Sequence, residues 1–290
     1  MLYIIYKSYK FDLNLNLFSL LSFQSIIIYF LFFLLSIFFI SIRWLLVLKG
    51  VYNISFLESL KITLLSFSLN TVSLSGAGEL FKIFFWKKNK IAKDLILNCI
   101  IFERIFSFLI FLFLISFFLL FYKNIPTYSR LFVLIFIFLF LVFCLIKNIF
   151  FIKKIPYINY YEYFFNKYFL KDKIRITYIF FLSFAIQVNF YVNLYLFSLA
   201  NFKDISNYYE YIYYSLISIA NSIPFFFSGF GIREFFSVIF SEYLNLDPII
   251  YLNFTISIGL LNVLIALMYL LLRYIMSFFN TSFFYNTRKY

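Results

Sequence analysis

The amino-acid sequence predicts an all-α polytopic membrane protein made of inverted repeats, each with a re-entrant or broken helical hairpin. Three observations lead there. Hydrophobic residues fill 64% of the 290 positions and charged residues only 13%, at a mean hydropathy of +0.96, a balance foreign to soluble domains. Apolar runs of about 20 residues, enough to cross a hydrocarbon core of about 30 Å, recur without the alternation of a transmembrane barrel. Finally, SGAGELFKIFF at residues 75–85 nearly repeats as SGFGIREFF at residues 228–236, each inside a long apolar region.

Residues 1–21 form an N-terminal segment with only a short LYIIY and no convincing span, so an initial helix is expected to be incomplete. No cleavable signal peptide is expected, because the first strong apolar run starts at Ile26 and no small-residue cleavage site follows it. Full spans are predicted at about residues 22–48, 95–121, 131–146, 176–200 and 249–276. Two further segments, 56–87 and 208–244, are apolar but interrupted by the Ser-Gly-x-Gly elements. Irregular backbone at membrane depth leaves amides unpaired at several kcal/mol each, so it persists only where protein or a water-filled cavity satisfies them. Both segments therefore read as re-entrant hairpins inside one domain, residues 22–278, followed by a cytoplasmic tail, 279–290.

The loop charges orient this arrangement. If both hairpins return to the side they enter, and the first span runs inward, then Lys49, Lys61, Lys87, Lys88, Lys90, Lys93, the basic segment from Lys147 to Arg175, and Arg273, Arg288 and Lys289 all lie inside. Only Lys7, Lys10, Lys123, Arg130 and Lys203 stay outside, as the positive-inside tendency requires. The odd span at residues 131–146 then inverts the second half relative to the first, the architecture of many secondary transporters. A multi-pass protein of the cytoplasmic (inner) membrane is the expectation.

The net charge of +13 sits between apolar runs, so it reads as a topology signal and as contact with anionic lipid headgroups at the cytoplasmic face rather than with nucleic acid. The 49 Phe and 26 Tyr accompany inflated Ile, Asn and Lys, which points to codon bias and not to a stacking platform. With no histidine, the commonest general base and zinc ligand are missing. Cys99 and Cys144 lie in apolar runs and read as small buried hydrophobes. No catalytic residue, metal site or cofactor is expected, and no Walker loop or dinucleotide fingerprint stands in the chain.

The chemistry therefore falls on the glycine elements and the charges at depth. Gly76, Gly78, Gly229 and Gly231 permit positive φ or close approach, and Ser75 and Ser228 are placed to cap the half-helices that follow. Such helix starts receive phosphate; the plainer alternative is a turn between packed helices. Glu103 and Arg104, about ten residues from the cytoplasmic edge, lie roughly 15 Å deep and need partners. Glu79 and Lys82 share a helix face, and Arg233 and Glu234 belong to the second tip. Arg104 and Arg233 read as phosphate binders that, with the two opposed half-helix ends, grip one anionic or phosphate-linked headgroup near the midplane, with Glu79, Glu103 and Glu234 holding the cations or exchanging protons; a purely structural charge network is the alternative. Arg43 and Trp44, near the end of their span, read first as a snorkelling and interfacial anchor.

The order Arg43-Trp44, Asn70, Gly78-Glu79 with Lys82, Glu103-Arg104, and Asn221-Ser222-Ile223-Pro224 leading to Gly229-Phe230-Gly231-Ile232-Arg233-Glu234 resembles the flippase-like transmembrane domain of lysylphosphatidylglycerol synthases, the UPF0104 group, over roughly residues 20–275. The family's proline before the first glycine element and arginine after it are replaced by Ser73-Leu74-Ser75 and Lys82. The resemblance implies binding and flipping of a membrane phospholipid or lipid-linked sugar, with Asn70, Asn221 and Pro224 joining the site. The sequence carries no aminoacyl-transferase domain, so lipid lysylation is not expected of it. A membrane enzyme acting on a lipid-linked sugar, or an accessory protein of envelope-glycan assembly, stays open as an alternative, as does a homo-oligomer.

Overall fold

The computed structural model describes residues 22–49, 51–73, 76–85, 93–120, 172–201, 213, 214, 217 and 232–286. Within them stand seven helices and no strand: α1 Phe23–Leu48, α2 Phe56–Val72, α3 Ala77–Phe85, α4 Lys93–Leu120, α5 Lys173–Asn201, α6 Ile232–Tyr243 and α7 Pro248–Asn286. Four of the five expected spans are thus helices close to their expected bounds, although α7 continues through the expected start of the tail. The span at residues 131–146 lies outside the described residues, as do residues 1–21, Ser75, Lys87 to Lys90, Cys144, most of the basic segment from Lys147, Asn221, Pro224, Ser228, Gly229 and Gly231.

Local chemistry sets the helix ends. Ser22 caps α1 by accepting from the amide of Ser25, and Ser55 with Glu58 forms a reciprocal capping box at α2. At α7, Pro248 opens the helix while the Asp247 carboxylate accepts from the amide of Ile249 at 2.9 Å. Asn245, at φ 55°, turns the chain out of α6 in the left-handed conformation, and the amide of Leu246 closes back on the Ser241 carbonyl. Polar side chains within the helices bond backward: Ser41, Ser68, Ser107 and Ser183 each donate to the carbonyl four residues earlier, so their hydroxyls need no water.

Helices α1, α5 and α7 are long and apolar enough to cross a membrane, over Phe23–Leu48, Ile174–Asn201 and Pro248–Met276. Their outward faces are greasy: Phe30, Leu34 and Phe38 on α1, Phe181 and Val188 on α5, Leu267 and Leu271 on α7 are all exposed. Water would penalise such faces, whereas a lipid phase accepts them.

Packing orders the helices by level. The apolar cluster of Trp44, Val47, Leu48, Ile62, Ile96, Cys99, Ile100, Phe102 and Ile179 closes one end of the bundle. A second, around Tyr29, Ile110, Leu114, Tyr191, Phe197, Tyr213, Leu244, Tyr251 and Phe254, closes the other. Helices α1 and α5 run antiparallel along a shared seam, because Ser22 meets Asn201, Ser36 meets Asn189 and Arg43 meets Ser183. Helix α4 runs with α5 and against α1. The α2–α3 unit breaks between Ser73 and Gly76 and folds back, so that Ile54 and Ile62 at its start and Ile83 and Phe85 at its end share the first cluster. The apolar segment is thus interrupted between α2 and α3. Buried Cys99 is the small apolar filler the sequence suggests.

Candidate functional site

The first glycine element is built by close approach. At Gly78 a Cβ would stand 2.0 Å from the backbone carbonyl oxygen of Ser66, so only glycine lets the start of α3 lie against α2. Gly76 takes φ +98° with open space around it, a conformation that glycine adopts freely. The Asn70 side-chain oxygen accepts from the amides of Gly76 at 3.1 Å and Gly78 at 2.8 Å. Those two donors are thus occupied from within the chain. Ser75, the capping residue the sequence suggests, lies outside the described residues.

Fold-back brings Glu79 and Lys82 of α3 against Glu103 and Arg104 of α4 and adds Arg43, a residue the sequence places elsewhere. Arg43 of α1 donates from Nη2 to Glu103 Oε1 at 2.6 Å, and from Nη1 to the hydroxyls of Ser107 at 2.7 Å and Ser183 at 3.2 Å. The reading of Arg43 as a surface anchor is corrected by this geometry: Arg43 is 6% exposed and Trp44 fully buried. The physical reason is directional. Helical side chains lean toward their own N-terminus, so an arginine near the C-terminal end of α1 points back into the bundle, away from the near surface. Tyr29, Ser36 and Arg43 recur every seventh residue, and that polar stripe on one helix face was the available signal.

From Glu103 the charges alternate outward. Lys82 Nζ lies 3.3 Å from Glu103 Oε2 and 3.1 Å from Glu79 Oε2, and its ammonium sits 4.4 Å from the centre of the Trp44 ring, a cation over an aromatic face. Glu79 Oε1 in turn accepts from Arg104 Nη2. The chain Arg43, Glu103, Lys82, Glu79, Arg104 sets three cations against two carboxylates, a formal charge of +1. Burial falls along it: the side chains of Arg43, Glu103 and Lys82 are 7%, 5% and 4% exposed, Glu79 17%, and Arg104 59%. Arg43, Glu103, Ser107 and Ser183 form a polar layer between the two apolar clusters, which confines the ion pairs to one level.

The second element places its charges elsewhere. Arg233 Nη2 and Nε both reach Glu234 Oε1, at 2.6 and 3.0 Å, with both residues buried at the start of α6. One turn further along α6, Phe236 and Ser237 meet the cluster that contains Tyr29 and Tyr213. Tyr213 bonds Ser237, whose hydroxyl also donates to the Tyr251 carbonyl at 2.9 Å, docking α6 on α7. Tyr29 and Arg43 are fourteen residues apart on one helix, about 21 Å at 1.5 Å per residue. The structure thus gathers Glu79, Lys82, Glu103 and Arg104 at one level and sets Arg233 and Glu234 at another, which corrects the expectation that Arg104 and Arg233 grip one headgroup together. Among the described residues no group of three metal-ligating side chains occurs.

Apolar helices with greasy outer faces and ion pairs confined to interior levels define a helical membrane domain. The family model of the lysylphosphatidylglycerol synthase TM region matches residues 1–269, and the chain belongs to that family. The match takes in the N-terminal segment as well as every helix from α1 to α6 and most of α7. No curated protein and no solved structure matches the chain significantly.

Proposed function

We propose that this protein is a lipid translocase of the cytoplasmic membrane, which takes an anionic or phosphate-linked headgroup at Arg104 and passes it between leaflets. The observation that carries the reading is the open end of the ion chain. Arg104 lies eleven residues into α4, about 16 Å along its axis, yet its side chain is 59% exposed at the flank of the bundle. One of its amino groups is held by Glu79, and the guanidinium has further donors to offer. A cation facing an apolar phase costs about 2.5–3.5 kcal/mol on the insertion scale, and a lipid phosphate beside it relieves that cost while neutralising the network's +1. Arg233 and Glu234 supply a second polar station toward the Leu244 end.

The topology favours transport as well. Antiparallel α1 and α5, each preceding a glycine element, are what inverted repeats require, and a hairpin that leaves and rejoins one bundle end is what a re-entrant element requires. Cysteines replacing exposed Asn53, in the loop after α1, and exposed Tyr243, at the end of α6, are expected to react with an impermeant reagent from opposite sides of intact cells. Labelling of both from one side would remove the repeat arrangement.

Activity is read by flipping of a fluorescent phosphatidylglycerol in proteoliposomes. Loss of Arg104 removes charge-assisted hydrogen bonds of about 1.5–3 kcal/mol each, so Arg104→Ala is expected to cut the flipping rate by at least about tenfold while the protein still inserts and melts normally. Unchanged flipping by Arg104→Ala would reject this headgroup site.

A further inference from the structure

We infer that the α1–α5 seam is the polar path along which the headgroup travels between the Arg43–Glu103 level and the Arg233–Glu234 pair; this rests on the translocase reading and gives it a route. Polar contacts recur along the seam, alternating with apolar ones such as the Tyr29–Phe197 ring pair. From one end to the other, Arg43 meets Ser183 at 3.2 Å, Asn189 donates to Ser36 Oγ at 2.6 Å and to the Phe32 carbonyl at 2.9 Å, and the Ser22 amide donates to Asn201 Oδ1 at 3.1 Å. Between these last two contacts, Tyr29 turns its hydroxyl to Asn262 Oδ1 of α7 at 2.9 Å, and α6, which opens on the Arg233–Glu234 pair, docks on that same helix through Ser237.

The second observation concerns polar atoms that the seam leaves over. Asn193 is 7% exposed and one turn beyond Asn189, yet its side-chain oxygen has no hydrogen-bond partner. At the other end Arg43 Nε and Trp44 Nε1 are buried donors in the same condition. Interhelical polar contacts that serve only as adhesive satisfy both partners, since an unmet buried group costs about 1–3 kcal/mol. The open acceptor of Asn193, one turn from the Asn189 contact, is suited to water, and the open donors at the Arg43 end are suited to a phosphate, which brings its own acceptors. Ser36 and Asn189 form the closure between the two ends, and a headgroup passes only when they part.

The test locks that closure. In a background with Cys99→Ala and Cys144→Ala, the pair Ser36→Cys and Asn189→Cys is oxidised to a disulfide in proteoliposomes, and flipping of fluorescent phosphatidylglycerol is followed before and after reduction. Flipping that stops on oxidation and returns on reduction supports the path; flipping that continues with the disulfide formed overturns it. Asn193→Leu provides an independent arm should the cysteine pair itself be inactive. A path residue predicts a rate lowered by about tenfold at an unchanged melting temperature. An adhesive residue predicts a lowered melting temperature with the rate per folded molecule unchanged, which overturns the path. Wild-type protein that does not flip the probe overturns the translocase reading and the path together, whereas wild-type flipping that persists through the locked seam overturns the path alone.

Discussion

Glu103→Ala is expected to be the most damaging single substitution in the described part of the protein. Glu103 is the counter-charge shared by Arg43, at 2.6 Å, and Lys82, at 3.3 Å, and both cations are buried. Removing it leaves the buried Arg43 guanidinium with hydroxyl partners alone and Lys82 with only Glu79, in a layer closed on both sides by apolar clusters. Breaking a buried pair by deleting one partner costs about 3–5 kcal/mol, because the remaining charge loses its compensation but not its desolvation. Thermal unfolding of purified protein in detergent checks this. The informative companion is Arg43→Met combined with Glu103→Met, which removes the charges together, leaves Lys82 with Glu79, and is expected to restore most of the lost stability. Equal damage from the single and the double variant would show that packing rather than charge governs the level.

Gly78→Val comes second. Its Cβ would overlap the Ser66 backbone oxygen at 2.0 Å, and a clash between a Cβ and a backbone atom cannot be relieved by any rotamer. Helix α3 must therefore move off α2, which costs at or above the upper end of the usual 1–3 kcal/mol for overpacking and carries Lys82 and Glu79 away from Glu103 and Arg104. Both melting temperature and lipid flipping are expected to fall. Gly76→Ala is the control: nothing lies within 4 Å of its position, so only the φ of +98° resists, at about 1–2 kcal/mol. A Gly78→Val protein as stable as Gly76→Ala would mean that α2 and α3 separate without consequence.

Much of this was legible in the sequence because it is written locally. Span positions follow from runs of apolar residues, and four helices stand where those runs predict. The break in residues 56–87 follows from the Ser-Gly-x-Gly element, and the pairing of Glu79 with Lys82 from their spacing on one helix turn. Glu103 and Arg104 announced a need for partners simply by lying at depth. The partner that was misread, Arg43, shows the limit of local reasoning: distance to the end of a span suggests an anchor, but the direction of the side chain and the presence of Ser107, Ser183 and Glu103 on two other helices decide its place. The role of Asn70 was hidden for the same reason, since its two amide partners lie across a turn.

What the sequence by itself determined is the class of molecule: helical, membrane-embedded, carrying charged groups at two glycine elements, and similar in motif order to the family it belongs to. Those properties depend on composition and short-range spacing, which any window of the chain displays. Only the tertiary structure decided how the charges are distributed, joining Arg43 to the first element's cluster and holding Arg233 with Glu234 at another level. An ion pair at 2.6 Å joins helices through residues sixty apart in the chain, and in a low-dielectric interior each cation settles wherever packing brings a carboxylate within reach. No spacing rule along the sequence encodes that choice, because it is made between helix faces after they have met.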